Sequence, residues 1–195
     1  MALLPIYLYG QPVLRKKAKL VHHLDQSLAK FVEDMFETMH NANGVGLAAN
    51  QVGSLQRAIV VDVSTMGEGE EHPIAAPDRR PIALINPEVV LEQGKWIVEE
   101  GCLSIPDVRE EVERVETVRV RYKDLEFKDQ EIEASGMLAR VILHEIDHLN
   151  GVLFFDRIGI VKRKLLRGRL NKIARGEIEV SYPIVSSTHV SAAAT

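Results

Sequence analysis

Apolar residues recur at three- and four-residue spacing in three stretches of the chain, which is the pattern of amphipathic helices. In the first stretch, residues 25–42, Asp25 or Ser27 is the expected N-cap. The apolar stripe of this helix consists of Leu28, Phe31, Val32, Met35, Phe36 and Met39. The second stretch, residues 135–151, is apolar on almost every face, which predicts a buried helix.

The third helical stretch covers residues 159–175 and is strongly basic. Between Arg157 and Gly176 there are eight lysines and arginines and no aspartate or glutamate. Its apolar positions Val161, Leu165 and Ile173 are expected to pack against the protein. Most charge runs of this kind are solvated helix faces, although a basic face also suits an RNA surface.

Between the first two helices the pattern changes to short apolar or alternating runs, which predict strands. The predicted strands cover residues 58–63, 81–91, 95–99, 112–122 and 125–134. Strands grouped in the middle with helices on either side favour an α+β fold over alternating βαβ units. We expect antiparallel strands packed around the buried helix of residues 135–151, with one helix N-terminal and one C-terminal to that unit.

Two segments lack periodicity. Residues 64–81 are acidic and rich in Gly and Pro, which predicts a surface loop inserted in the fold. Residues 181–195 have little structural signal and are expected to form a flexible tail. The length of 195 residues then fits a single domain over residues 1–180.

Composition narrows the functional classes. The one cysteine, Cys102, excludes a disulfide framework within the chain and suggests a reducing compartment. The sequence contains no run of about 18 apolar residues, so it predicts no membrane span. The N-terminus is a poor signal peptide, and we therefore expect a cytoplasmic protein. The formal net charge of −4 favours neither DNA nor another nucleic acid as the main ligand.

The segment HEIDH, residues 144–148, carries the clearest chemical signal. In a helix, residues four apart lie about 40° from eclipse and about 6 Å apart along the axis, so His144 and His148 can bind one metal ion. Glu145 lies beside them, close enough to hold a water molecule at that ion. Polar side chains in so apolar a helix need partners, which favours a metal over a structural histidine pair. Asp147 is expected to anchor the helix.

Two histidines leave a catalytic metal site incomplete, because such sites have three protein ligands as a rule. The extension HExxHxxGxxH matches at Gly151 but fails at Phe154, and Glu177 and Glu179 are poorly placed for a glutamate on a later helix. Cys102 has suitable chemistry. A lone cysteine is often inert packing, however, so this pattern alone leaves the third ligand open.

Three motifs in register, GVGLAANQ (44–51), EGCLS (100–104) and HEIDH (144–148), resemble those of the peptide deformylases. The resemblance extends to about residue 170. It implies a catalytic domain that removes the N-formyl group from the formyl-methionine of newly made polypeptides.

The resemblance also implies a role for each motif residue. Cys102, His144 and His148 would hold one divalent metal ion, Fe(II) in the cell, with zinc, nickel or cobalt able to replace it. Glu145 would carry the proton. Gln51 and the backbone N–H of Leu103 would polarise the formyl oxygen.

The substrate contacts are less specific in sequence. Gly44 and Gly46 lack a Cβ and so allow a peptide backbone to approach closely. The apolar slot for the methionine side chain is expected at the valines, and Arg109 is a candidate contact for the peptide beyond it. The valines in question are Val45, Val98 and Val141.

Two other functions compete with this interpretation. The first is an HExxH endopeptidase, which the missing third histidine and the Gln51 and Cys102 motifs disfavour. The second is a catalytically idle ribosome-associated module, which the intact Glu145 disfavours. If the chain acts on nascent polypeptides, the basic helix 159–175 is the candidate ribosome contact.

Overall fold

The structure is a computed structural model that describes residues 2–66 and 80–187. The prediction of an α+β fold is confirmed. Most of the loop expected at 64–81, and the last part of the tail expected at 181–195, lie outside the described residues. The helices are α1 (Gln26–Asn41), α2 (Gly136–Leu149) and α3 (Ile160–Ala174). The strands are β1 (Ile6–Tyr7), β2 (Gly46–Ala48), β3 (Ala58–Val61), β4 (Ile82–Gln93), β5 (Trp96–Cys102), β6 (Ile105–Arg114), β7 (Thr117–Lys123), β8 (Asp129–Ser135) and β9 (Ile184–Val185).

The strands form one main sheet and two small ones. The main sheet is antiparallel with the order β2-β3-β4-β7-β8, and β5 and β6 form a separate antiparallel hairpin. The short strands β1 and β9 pair in parallel and bring the two ends of the chain together.

Strand β3 explains why the run from Ala58 to Val61 is apolar at every position. Ile59 and Val61 belong to the core cluster formed with α2, whereas Ala58 and Val60 belong to the cluster formed with α1. Alternate side chains of a strand point to opposite faces, so a strand covered by a helix on both sides has no polar face.

The two N-terminal helices match their predicted patterns. The Leu28 N–H donates to the Asp25 side chain over 2.8 Å, which identifies Asp25 as the N-cap of α1. Helix α2 is buried along almost its whole length, and it packs on β2 and β3. Within the described residues, no helix is long and apolar enough to cross a membrane.

Three sequence predictions about the fold are wrong in detail. Residues 112–122 are not one strand, because the chain leaves β6 at Arg114 and re-enters the main sheet at Thr117. A continuous alternating pattern does not reveal that two strands belong to different sheets.

The packing stripe expected on α3 is wrong at two of its three positions. Val161 is 69% exposed and Leu165 is 80% exposed, whereas the third position, Ile173, is buried as predicted, together with Leu170. Within α3, only the residues from Leu166 onward reach the core cluster beneath the β5–β6 hairpin, so Val161 and Leu165 are left at the surface.

The flexible tail cannot begin at residue 181. Ile184 and Val185 form β9, and the Ser187 N–H donates to the Ala174 carbonyl over 3.0 Å. Ile and Val favour strands, but a run of two such residues after Pro183 is too short to predict one, and the strand forms by pairing with β1 at the other end of the chain.

Candidate functional site

Cys102, His144 and His148 come together beside the N-terminal end of the β5–β6 turn. Their ligand atoms all lie within 4.8 Å of one another, and the Cys102 Sγ is 3.2 Å from the His148 Nε2. One sulfur and two imidazole nitrogens form a ligand set suited to a tetrahedral divalent ion with one open position. The donor chemistry therefore fits a catalytic metal site.

Two elements bring these ligands together. Helix α2 places the two histidines one turn apart, with ring centroids 5.0 Å from each other. Cys102 ends β5 and pairs with Ile105 across the two-residue turn Leu103–Ser104. Hydrogen bonds from Arg114 to Asp147 and from Arg140 to the Trp96 and Val112 carbonyls hold the hairpin against α2, so its turn brings the thiol to the histidines.

A buried group of charges fixes His144 from behind. The His144 Nδ1 is 3.0 Å from the Glu100 Oε2, which leaves the His144 Nε2 as a ligand atom. Cys102, His144 and His148 are called the metal group below. Burial alone would raise the pKa of the Glu100 carboxyl. Hydrogen bonds from His144 and Arg114 and their charges outweigh burial and hold this pKa well below its usual range. Glu100 is thus an ionised partner that orients the imidazole.

Arginines complete this group. The Arg114 Nε donates to Glu100 over 2.5 Å, and its Nη1 donates to Asp147 over 2.7 Å. Arg140 donates to the same Glu100 carboxylate over 2.8 Å. Asp147 also accepts from Arg157, over 2.5 and 2.6 Å. The helix-anchoring role expected for Asp147 thus has a direct structural basis.

Glu145 lies on α2, the helix that carries the two histidines. It is 4% exposed, and within the described residues its Oε2 has no hydrogen-bond partner. Burial raises the pKa of Glu145 to about 7. A carboxyl group with a pKa near neutrality can both accept and deliver a proton at working pH.

The two glycines of the first motif make room for this site. A Cβ on Gly46 would lie 2.5 Å from the Glu145 Oε1, and a Cβ on Gly44 would lie 2.7 Å from the Leu103 Cδ1. Both glycines line the cavity as well. Their first structural role is therefore to let Glu145 and Leu103 pack closely, beside any role in approaching a substrate.

Gln51 is held with its amide directed at the metal group. It lies in a short 3-10 helix, Ala49–Val52, and its Oε1 accepts from the Ala48 N–H over 2.8 Å. Its Nε2 is 3.6 Å from the Cys102 Sγ and donates to the Ser104 Oγ over 3.3 Å. The bond to Ala48 fixes the side chain so that its N–H donors face the site.

A cavity of about 600 Å³ opens onto these groups. Most of the residues predicted from the sequence to bind substrate line it, but Val98 does not. Val98 pairs with Val112 in the middle of the hairpin, whereas the part of β5 that lines the cavity begins at the next residue, Glu99. The predicted residues at the cavity are Gly44, Val45, Gly46, Gln51, Leu103, Arg109, Val141 and Glu145.

The sequence analysis assigned no role to several residues that the structure places at the site. Glu100 belongs to the EGCLS motif, so its proximity to Cys102 was an available signal. No sequence signal marked Arg114 or Arg140, because an arginine in a charged strand or helix is expected at the surface unless its burial is known. Tyr182 lies in the segment expected to be flexible.

We expect Glu100→Gln to destabilise the metal-free chain by about 3 kcal/mol, since removing one charge of a buried network leaves its partners incompletely paired. Arg140 would lose its ionic partner, and Arg114 would keep only Asp147 of its two. Denaturant unfolding monitored by circular dichroism measures the change in the free energy of unfolding.

Glu113→Gln on the same hairpin is the control. Its exposed pair with Lys95, at 3.1 Å, is expected to contribute less than about 1 kcal/mol. Equal effects of the two substitutions would show that the buried network adds no more stability than a surface ion pair.

Comparison with known proteins finds relatives over nearly the whole chain. A model of the family described as "Polypeptide deformylase" matches residues 3–164. The peptide deformylase of Salinibacter ruber is 46% identical over 185 residues, covering 94% of this chain and 95% of that protein. The peptide deformylase of Chlorobium phaeovibrioides is 43% identical over 182 residues, covering 93% and 92%.

Solved structures show the same similarity. A peptide deformylase from Legionella pneumophila superposes with a TM-score of 0.78 at 39% identity, covering 90% of this chain and 98% of that one. A peptide deformylase from Ehrlichia chaffeensis, in complex with actinonin, superposes with a TM-score of 0.81 at 37% identity, covering 92% and 100%.

Proposed function

The chain belongs to the polypeptide deformylase family, and we propose that Cys102, His144 and His148 hold the divalent metal ion on which its reaction depends. The protein is a hydrolase of protein biosynthesis that removes the formyl group from the N-terminal methionine of new polypeptides. The endopeptidase and the idle ribosome-associated module are set aside. What remains to be proposed is how this chain's own residues carry out the reaction.

One observation supports the proposed site most strongly. A thiol and two imidazoles are gathered within 4.8 Å, beside a buried carboxylate oxygen that has no hydrogen-bond partner among the described residues. A bound divalent ion supplies Lewis acidity and makes water a nucleophile near neutral pH. Fe(II) is the proposed ion in the cell, with zinc, nickel or cobalt able to replace it. Metal analysis after anaerobic purification, coupled to a formate-release assay, identifies the ion.

Glu145 is the proposed proton carrier. Its buried carboxyl group accepts the proton of the attacking water and delivers it to the leaving amine. The space left by Gly46 allows the carboxylate to sit close to the cavity wall formed by β2. No other described acidic side chain of the cavity combines this burial with an oxygen free of hydrogen bonds.

The Gln51 amide and the Leu103 backbone N–H are the proposed donors to the formyl oxygen. Negative charge develops on that oxygen as the carbonyl carbon becomes tetrahedral, and pre-oriented N–H donors stabilise it. Gln51 is already fixed by its bond to Ala48, so it loses little freedom when it donates.

The remaining cavity residues are proposed to hold the formyl-methionine chain. Val45 and Val141 supply apolar wall for the methionine side chain, and Gly44 and Gly46 supply accessible backbone. Arg109 lies at the rim, with its guanidinium 3.8 Å from the Glu99 carboxylate, in reach of a peptide that leaves the cavity.

The basic helix α3 is the proposed contact with the ribosome. Its N-terminal half is exposed, and Lys164 and Arg167 project from it with no acidic residue in the helix. A cytoplasmic enzyme that meets nascent chains at the ribosome would gain local substrate concentration from such a surface. Co-sedimentation with ribosomes at several salt concentrations tests this contact.

The role of Gln51 can be tested with Gln51→Met, which keeps the length of the side chain and removes its N–H donors. We expect kcat for a formyl-methionyl peptide to fall by about 10²–10³-fold, the usual effect of losing one oxyanion donor. Metal content should stay the same, since Gln51 is not a proposed ligand.

Gln130→Met is the matched control, because Gln130 lies on the exposed strand β8 away from the cavity. A Gln51→Met enzyme with unchanged kcat would remove Gln51 from the machinery.

A further inference from the structure

The chain returns to the site after α3. Residues Glu179, Val180, Ser181 and Tyr182 line the cavity, although the family model ends at residue 164. Parallel pairing of β9 with β1 holds this segment in place, with the Ile6 N–H donating to the Pro183 carbonyl over 2.8 Å. A cavity wall is therefore built from residues that lie beyond the span of the family model.

Tyr182 connects this segment to the active-site turn. Its hydroxyl donates to the Leu103 carbonyl over 2.8 Å, and its half-buried ring packs against two core clusters. Burial, reinforced by the neighbouring Cys102, raises the pKa of Tyr182 well above its ordinary value. The hydroxyl therefore keeps its proton and remains a donor at neutral pH.

The second carbonyl of the turn is also bound from outside the hairpin. The Ser104 carbonyl accepts from the Tyr9 N–H over 2.9 Å, and Tyr9 follows β1, the partner of β9. In a two-residue hairpin turn the strand ladder does not hold the turn residues themselves. Segments from both ends of the chain thus donate hydrogen bonds to the Leu103 and Ser104 carbonyls, which the strand ladder does not use.

We propose that Tyr182 is a positioning residue for deformylation, because its hydroxyl fixes the Leu103–Ser104 turn. This inference rests on the proposed role of the Leu103 N–H. The Leu103 carbonyl and the Leu103 N–H belong to peptide groups that share one Cα, so rotation of the first group moves the second. A donor displaced by about 1 Å can lower a rate by up to about 10²-fold.

The test is Tyr182→Phe in the full-length, metal-loaded enzyme, since this change removes one oxygen atom and keeps the ring. We expect kcat to fall about tenfold while KM for a formyl-methionyl peptide changes by less than about twofold. Hydrogen exchange of segment 101–106, followed by mass spectrometry, should become several-fold faster, and exchange of α2 should not change. A purely structural role would instead speed exchange throughout the protein.

Tyr122→Phe is the matched control. Tyr122 is half-buried on β7 and does not line the cavity, so its substitution should change neither kcat nor exchange of segment 101–106.

Besides faster exchange throughout the protein, two results would overturn the proposal. An unchanged kcat and unchanged exchange would show that the bond to Leu103 holds nothing in place. A raised KM with unchanged kcat would make Tyr182 a substrate contact. Failure of the proposed function is distinguishable, because it would appear in the parent enzyme and in Gln51→Met, not only in the Tyr182 variant.

Discussion

Glu145→Gln should retain about one metal ion per chain and lose formate release by about 10²–10⁴-fold, the usual contribution of a positioned acid–base group. The glutamine amide keeps the size of the side chain and can still hydrogen-bond a water molecule, but it cannot take up and deliver a proton. KM should change much less than kcat, because the lost interaction is made in the transition state. Parallel metal analysis and formate assays measure both quantities.

Glu131→Gln is the control for this experiment. Glu131 lies on β8 in an exposed pair with Arg121 and should not affect turnover. Loss of metal from Glu145→Gln would make Glu145 a ligand, or show that the site needs its charge. Wild-type turnover in a variant that keeps its metal would contradict the proton-carrier role.

Cys102→Ala should lose metal and activity together, because two imidazoles alone make a far weaker site than two imidazoles and a thiolate. The thiol lies 3.2 Å from the His148 Nε2, so its removal leaves one side of the metal group without a ligand. We expect metal content after dialysis to fall below about a tenth of the parent value, and formate release to fall with it.

Cys102→Ser separates ligand chemistry from packing. The hydroxyl has nearly the size of the thiol but binds Zn(II) or Fe(II) more weakly, so excess metal should restore part of the activity in the serine variant and little in the alanine variant. An unchanged melting temperature of the metal-free chains shows that both fold. Full metal occupancy in Cys102→Ala would exclude Cys102 as a ligand.

Local sequence patterns determined the elements that carry half of the site. The stripe and N-cap of α1 and the four-residue spacing of His144 and His148 need only helix geometry, because hydrogen bonds and side-chain neighbours in a helix lie within four residues. The α+β class likewise followed from where the periodicity changes. The motifs of Gln51 and Cys102 pointed to the family without showing how those residues meet.

Tertiary structure alone decided what surrounds the histidines. Cys102 reaches His148 because a hairpin separate from the main sheet packs over α2, and the pattern of residues 112–122 gave no sign of that separation. Arg114 became a buried partner of Glu100 by the same packing.

The C-terminal part of the chain is the other case in which only the tertiary structure decides which contacts a side chain makes. Leu165 has the spacing of a packing residue yet faces solvent, whereas Tyr182 lies in a segment whose apolar run is too short to predict an element, yet it reaches the Leu103–Ser104 turn. Periodicity identifies which side chains share a face, but contacts between distant segments decide whether that face is covered. For this protein, the sequence alone determined the helix that carries His144 and His148 and the family, and the long-range packing of the hairpin and of β9 decided what surrounds those histidines.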